Sequence, residues 1–346
     1  MTTTIKSIAK LTGVSHSTVS RALRSSSLVA EATATRIRMV AEEQGYLPSA
    51  AARSLKTNRT QVLGVIVSSI ADPFFSEILF GIEEFAQERN YSVSIAASQH
   101  DPVKERRVVQ AMLEQRTDGL IICSSSFSTR QVNELLSRGF PVVMVNQQAA
   151  ENYNFSIYHD DLDGSRQVTR YLIELGHQRI AYLGNANSGR TTMDRESGFQ
   201  TEMDEHKLAV PAEYIFHVPG GDPELGLLAV DHFLGLREPP TALFCFNDML
   251  AIGVLKGCKN KGVNIPNDLS VAGFDNISYS GFTYPTLTTF DQPKREIGRE
   301  AARLLLDLLS SDQVGLPQTR QVKVLQGRLL VRESTSTPNY KEGNIE

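Results

Sequence analysis

Polar residues collect where the apolar runs of this chain stop. SSIADPFF (68–75) follows the run VLGVIV, HDDLDG (159–164) precedes a helical stretch, and FND (246–248) and GFDN (273–276) close two later runs. Ser68, Asp72, Asp163, Thr191, Asn247 and Asp275 supply hydroxyl, carboxylate and amide groups, and Arg195 supplies a forked donor. Phe74 and Phe75 add aromatic faces. Oxygens that bridge neighbouring hydroxyls, a donor fork and an aromatic cover for an apolar ring face are what a polyhydroxylated small molecule requires. The competing reading makes Asp161, Asp163 and Asp248 helix N-caps and Arg195 a surface charge.

A second set of chemistry lies at the start of the chain, in IKSIAKLTGVSHSTVSRALR (5–24). Ile5, Ile8, Ala9 and Leu11 recur at helical spacing, Gly13 supplies the positive φ of a tight turn, and Ser15 suits the N-cap of a second helix. Inward positions of that helix are Val19, Ala22 and Leu23. This is the spacing of a helix-turn-helix, with a plain exposed helix hairpin as the alternative. The outward face carries His16, Ser17, Ser20, Arg21 and Arg24, short donors and guanidinium groups suited to base edges and phosphates in a major groove. Ser15 and Thr18 beside them, and Tyr46 after a third helix that starts near Glu31, complete the expected DNA-contacting set of the head. The first sixty residues carry nine Lys and Arg against three acids, +6, while the whole chain is −4, which leaves −10 for the remainder. A basic head on an acidic body docks on nucleic acid at one end only.

Periodicity indicates what positions these residues. From Val62, short Val/Ile/Leu runs alternate with helical stretches, some ten strands in all, as in parallel sheets covered on both faces. Ten strands exceed one comfortable sheet, so two doubly wound lobes are expected, with a ligand cleft at the carboxyl ends of their strands. Between head and lobes lies SAAARSLKTNRT (49–60), alanine-rich and basic through Arg53, Lys56 and Arg59. Two helical turns are marginal in water, so this stretch reads as a hinge that becomes helical on DNA or a partner subunit, or as a plain basic linker.

Enzyme signatures are missing: there is no phosphate loop ending in Gly-Lys-Ser/Thr, no G-x-G-x-x-G after the first strand and no G-x-S-x-G elbow. The seven histidines are scattered, so neither a metal nor a cofactor is expected, and His159 with Asp161 is the one acid–base candidate. Cys123, Cys245 and Cys258 read as buried thiols of a reducing cytosol. No secretory signal precedes the head, and no apolar run approaches the roughly eighteen residues of a membrane span. A cytoplasmic, nucleoid-associated protein without a membrane partner is expected.

The motifs GVSHSTVSRAL, GYLPSAAARSLKTNRT, VLGVIVSSIADPFF, LGHQRIAYLG, RESGF, FNDMLAIG, DLSVAGFDN and YPTLTTFDQP together resemble the LacI/GalR family of bacterial transcription repressors, over essentially all of residues 4 to 333. The resemblance implies an all-α helix-turn-helix head and an α/β periplasmic-binding-protein-like core of two doubly wound parallel-sheet lobes. It implies a helix-turn-helix domain over 1–47, a hinge over 48–60, an effector-binding core over 61–340 and a tail over 336–346. Within the core, the N-lobe would take about 61–160 and 291–320, and the C-lobe about 161–290 and 321–335. Arg195, Asn247 and Asp275 match the family's effector-contact positions, with Asp163 a weaker match, and His16, Ser17 and Arg21 match its base-reading positions. Leu55 matches the leucine that wedges into the minor groove at the operator centre, with Ala52 one turn before it on the same face.

Two departures stand out: Ser49 replaces a frequent Asn at the hinge start, and His159-Asp160-Asp161 is more acidic than the usual Asp-Asn. The chain lacks a leucine heptad after residue 333, so the resemblance implies a homodimer on a pseudo-palindromic operator and gives no support for a tetramer. The implied effector is a sugar or sugar derivative. A purine corepressor surrounded by Thr191, Arg195 and Phe75, a phosphoprotein corepressor, and a transport solute-binding protein are the alternatives.

Overall fold

A capping box starts the head. Thr4 accepts from the backbone N–H of Ser7 and donates its own N–H to Ser7 Oγ at 2.9 Å, which opens α1 (Ile5–Thr12). Gly13 ends that helix at φ 67°, a left-handed turn in which a Cβ would be strained, and its N–H returns to Ala9 O. Ser15 then caps α2 (His16–Ala22), accepting from Thr18 N at 3.1 Å. With α3 (Glu31–Glu43), these helices close on Ile8, Val19, Ala22, Ala34, Ile37 and Ala41. Leu11, expected inward with Ile8, is instead 59% exposed, because Ile8 and Thr12 fill the inward stripe of so short a helix.

The computed structural model describes residues 3–23, 26–46, 59–123, 127–146, 154–310 and 320–339. It divides into two units, Met1–Thr60 and Gln61–Glu346. The hinge positions Ser49, Ala52 and Leu55 lie outside the described residues.

From Val62 the chain builds β1 (Val62–Val67), α4 (Pro73–Glu88), β2 (Ser92–Ala97), α5 (Pro102–Glu114), β3 (Gly119–Cys123), α6 (Thr129–Ser137), β4 (Val142–Val145) and β5 (Phe155–His159). It crosses to α7 (Asp161–Glu174), β6 (Ile180–Asn185), α8 (Arg190–Glu205), β7 (Ile215–Val218), α9 (Pro223–Leu234), β8 (Ala242–Cys245), α10 (Asp248–Asn260), β9 (Ser270–Asp275) and β10 (Thr288–Asp291). α11 (Lys294–Ser310) and β11 (Gln321–Leu325) rejoin the first group, and β12 (Arg328–Leu330) ends in the second. Local rules explain the helix starts: Asp72-Pro73 and Asp101-Pro102 each pair an aspartate cap with proline at the first helical position.

Two six-stranded sheets result, ordered β11-β5-β4-β3-β1-β2 and β12-β10-β9-β8-β6-β7. Every pair is parallel except β10 with β12. Helices cover both faces of each sheet, as the continuous apolar runs require. The chain passes between lobes three times, at 159–161, 291–294 and 325–328.

Two expected boundaries change. Gln321–Leu325 was assigned to the C-lobe but pairs residue by residue with Phe155–His159 in the first sheet, so only the chain after it belongs to the second. The expected tail over 336–346 starts out held down: Ser336 O is bonded by His177 Nε2 at 2.9 Å, just after the fully buried Ser334, which donates to Val271 O. Small hydroxyl residues look like a tail by composition, yet here they satisfy the edge of β9.

α4 and α11 approach closely enough for backbone to meet at a glycine on each helix. A Cβ at Gly298 would lie 2.1 Å from Ile78 O, and one at Gly81 2.1 Å from Arg295 O. Gly298→Ala should therefore destabilise the core by about 1–3 kcal/mol through overpacking, readable as a lower urea midpoint with an unchanged m-value.

Candidate functional site

The carboxyl ends of the second lobe's strands converge on one guanidinium. Arg195 lies in the second turn of α8 and is 4% exposed, so it is not a surface charge. Its Nε donates to Asp161 Oδ1 at 2.8 Å, Nη1 donates to Phe246 O, and Nη2 lies 3.4 Å from Asp275 Oδ1. Phe274 and Phe246 stand 4.0 and 4.6 Å from its Cζ, aromatic faces that stabilise the charge. Burial alone would lower the Arg195 pKa, but Asp161 and Asp275 outweigh it, and the net shift is upward. Burial pushes the Asp275 carboxyl well above its ordinary value, against the pull of Arg195. The shorter bond to Asp161 therefore carries most of the ion pairing.

The other positions sort around this centre. Asn247 caps α10, accepting from Leu250 N at 2.9 Å, and its amide donates to Gly221 O at 3.2 Å. Asp248 is fully buried and accepts from Thr289 Oγ1 and from Ile277 N at 2.9 Å. Asp275 stands at φ 114° and accepts from Gln292 Nε2 at 2.6 Å. Thr191 is half-buried at the second position of α8.

From the first lobe, Ser68 is buried at the end of β1, where its carbonyl accepts from Gln99 N. Asp72 caps α4 through Phe74 N at 3.0 Å. Burial raises the Asp72 pKa; Asp222 adds to the rise, and His100 and Arg195 oppose it. Its field also reaches Asp275. Asp72 of one lobe is thus within electrostatic reach of Asp222, Arg195 and Asp275 of the other.

Three expectations shift. Asp163 is not brought to the cluster: it accepts from Gln167 Nε2 at 2.7 Å, one turn along its own helix. Asp161 takes the place beside Arg195, while Asp160 is the cap, accepting from Asp163 N. Phe74 and Phe75 pack edge to face at 5.2 Å and are 6% and 3% exposed in the first lobe's core, so their rings are largely occupied within it. Phe246 and Phe274, unremarked in the sequence, supply the aromatic faces, and Gln292 and Lys294 in the second crossover grip Asp275. A polar Gln-Pro-Lys directly after an apolar strand was the signal for these two.

His159 and Asp161 lie close enough for the carboxylate charge to oppose the loss of the histidine's proton, but each is engaged elsewhere as well. Asp161 is bonded to Arg195, and the buried His159 ring sits with Nδ1 3.2 Å from Leu325 O, its pKa lowered by burial. Among the described residues, no group of three or more His, Cys, Asp or Glu could hold a metal ion, and no helix is long and apolar enough to cross a membrane.

In the head, His16, Ser17 and Arg21 are exposed along α2, opposite the buried Val19 and Ala22. Thr18 is half-buried, and Ser15 Oγ lies 2.7 Å from Ser17 Oγ and 2.9 Å from Thr18 Oγ1, so its hydroxyl is occupied in capping. Tyr46 packs on the head core, its N–H bonded to Ala41 O at 2.8 Å.

A helix-turn-helix reader in one chain with a two-lobed α/β core and a polar strand-end cluster defines a ligand-responsive DNA-binding regulator. Residues 4–49 match the model for bacterial regulatory proteins of the lacI family, and residues 169–335 match a periplasmic binding protein-like domain. The HTH-type transcriptional repressor PurR of Haemophilus influenzae (strain PittEE) is 33% identical over 335 residues, covering 96% of this chain and 99% of that protein. The PurR repressor of Actinobacillus pleuropneumoniae serotype 3 is 34% identical over 319 residues, 91% of this chain and 94% of that one.

Among solved structures, the lac repressor dimer bound to operator and the anti-inducer ONPF superposes with a TM-score of 0.85 at 25% identity, covering 97% of this chain and all of that one. A LacI family regulator from Enterococcus faecium with bound ribose gives 0.70 at 30% identity, over 80% and 99%. The chain belongs to the lacI family of bacterial regulatory proteins. It is a DNA-binding transcriptional repressor with effector-regulated affinity.

Burial pushes the Asp248 carboxyl up to about 7 from an ordinary 3.8. A carboxyl that holds its proton more tightly when folded makes the folded state lose stability as pH climbs from about 4 to about 7, with no further loss above. Asp248→Asn should remove that slope. Urea titrations at about pH 5 and about pH 8 should show the variant gaining roughly 2 kcal/mol on the wild type between the two conditions.

Proposed function

We propose that this repressor acts as a homodimer whose α2 helices read the half-sites of a pseudo-palindromic operator through His16, Ser17 and Arg21. Their exposure on the face opposite Val19 and Ala22 supports this reading. An unpartnered aromatic segment supports the dimer: Tyr279, Phe282 and Tyr284 are 57%, 88% and 89% exposed within six residues of chain. The functional division follows the chain, with reader, hinge over 48–60, and core. Ala52 and Leu55 would meet the minor groove.

The effector is a small hydroxylated molecule, a sugar or sugar derivative, held between the lobes by Asp275, Asn247 and Arg195 from one side and Asp72 from the other. The observation that carries this is the buried Arg195–Asp161–Asp275 cluster near the strand ends of the second lobe, with Asp72 of the first lobe within its electrostatic reach. A purine is the second reading. With Phe74 and Phe75 largely occupied in the core, the amide and carboxylate edges of Asn247 and Asp275 suit the donor and acceptor edge of a base as well as they suit hydroxyls.

A thermal-shift screen of sugars, sugar phosphates, nucleosides and purines separates these readings. A ligand at 100 times its Kd stabilises by about 2.7 kcal/mol, and that shift should vanish in Arg195→Ala and Asp275→Ala. A shift that survives both variants would place the ligand elsewhere. Silence across the screen would transfer the signal to a protein partner. At the head, Arg21→Ala should cost about 1–3 kcal/mol on operator and much less on random DNA, by fluorescence anisotropy. An unchanged ratio of the two affinities would remove Arg21 from base reading.

A further inference from the structure

A buried ammonium sits where the chain crosses between lobes for the second time. Lys294 is the first residue of α11, in the first lobe, and its side chain is 1% exposed. Nζ donates to three carbonyls: Asp275 O, Asn276 O at 3.0 Å and Gln292 O at 3.3 Å. That matches the donor count of an ammonium. Asp291 Oδ1 at 3.7 Å and Glu77 Oε2 at 4.0 Å are the carboxylates nearest the charge, one from β10 and one from α4. Asp275 and Asn276 both have left-handed backbones, φ 114° and 50°, conformations that non-glycine residues hold only when their surroundings enforce them. The cation supplies that enforcement by drawing both carbonyls to one point. The same turn directs the Asp275 carboxylate to Gln292 and Arg195.

We propose that Lys294 is a positioning residue that couples the Asp275 carboxylate at the effector cleft to the first lobe. This rests on reading Asp275 as an effector contact. Lys294 and Gln292 belong to the crossover itself, so the segment joining the lobes holds Asp275 by both its backbone and its side chain. A ligand that takes the Asp275 carboxylate from Gln292 turns the 275–276 backbone. The carbonyls then leave Nζ, and the start of α11 moves with α4, which crosses it in direct backbone contact at Gly81 and Gly298. Packing alone would need only an apolar chain at position 294. Coupling needs the charge, because only a cation holds three carbonyls together.

The test uses full-length protein and an operator duplex selected from a randomised pool by the wild type, so it requires no identified ligand. Lys294→Met keeps the volume and removes the charge; Lys294→Arg keeps the charge. Lys294→Met should change operator Kd by about threefold to thirtyfold, while Lys294→Arg stays within about twofold of wild type. Combined with Asp275→Asn, the Lys294→Met effect should be non-additive, since both changes break one linkage. Equal behaviour of the Met and Arg variants, or effects that simply add, overturns the proposal. The cleft reading is judged separately by the Arg195→Ala ligand screen and can stand when this coupling fails. Where Lys294→Met does not fold, Lys294→Ala is supplied with butylammonium or with butanol. Recovery of operator binding by the ammonium alone supports the charge requirement, and recovery by both or by neither overturns it.

Discussion

A charged guanidinium in a dry interior is the constraint on which the core's architecture turns. Taking such a group from water is costly unless its donors are met, and a partly met buried cation is worse than an apolar filling. Arg195 meets this cost with groups from separate places in the chain: Asp161 at the start of α7, the Phe246 carbonyl just past β8, and Asp275 at the end of β9. These come within reach only if β8 and β9 pair in their observed register and α7 and α8 lie side by side on the sheet. The cluster is thus a product of the completed lobe, and any ligand that disturbs it disturbs the relation between strands and helices.

The crossovers inherit that dependence. Phe274, one face of which lies against Arg195, stacks on Phe290 at 4.9 Å, and Phe290 lies 5.0 Å from the His159 ring. His159 ends β5 at the first crossover, Phe290 precedes the second, and Leu325, which His159 bonds, precedes the third. Gly327 completes the third: a Cβ there would lie 2.3 Å from the Phe290 ring. All three passages between lobes are therefore packed against one aromatic column that begins at the guanidinium. Tightly packed interiors rearrange between discrete states instead of deforming smoothly. A change at Arg195 has no soft element to absorb it before the crossovers.

Much of this organisation was legible in the residues, and the limits of legibility have physical causes. Gly13, Ser15 and the Asp-Pro helix starts follow local rules that tertiary structure did not override, and continuous Val/Ile/Leu runs identified strands buried on both faces. Asp275 could be placed at a strand end, whereas Arg195 lies a helical turn further along than the residues alone indicated. Which of Asp160, Asp161 and Asp163 would meet Arg195 could not be read, because the choice depends on helix phase at α7, and three acids within four residues differ by fractions of a turn. Phe74 and Phe75 misled for a related reason: an aromatic pair at a strand end suits either a ligand or a core, and the tilt of α4 decides. The return of Gln321–Leu325 to the first sheet was hidden because a polar edge strand lacks the apolar run that marks its neighbours.

The contact lengths around Arg195 indicate where a ligand can enter the network. Its Nε is bound to Asp161 at 2.8 Å, and Nη1 is bound to a backbone carbonyl that cannot move without β8. The Asp275 contact, at 3.4 Å, is the longest of the three. A ligand hydroxyl or base edge therefore reaches the guanidinium most cheaply by replacing Asp275. That exchange frees the one cluster residue whose backbone is held by the second crossover through Gln292 and Lys294. The longest contact of the buried cluster and a tether to the second crossover meet at the same residue. On the proposed coupling, a ligand that exchanged bonds at Asp275 would act on the lobe junction through that residue.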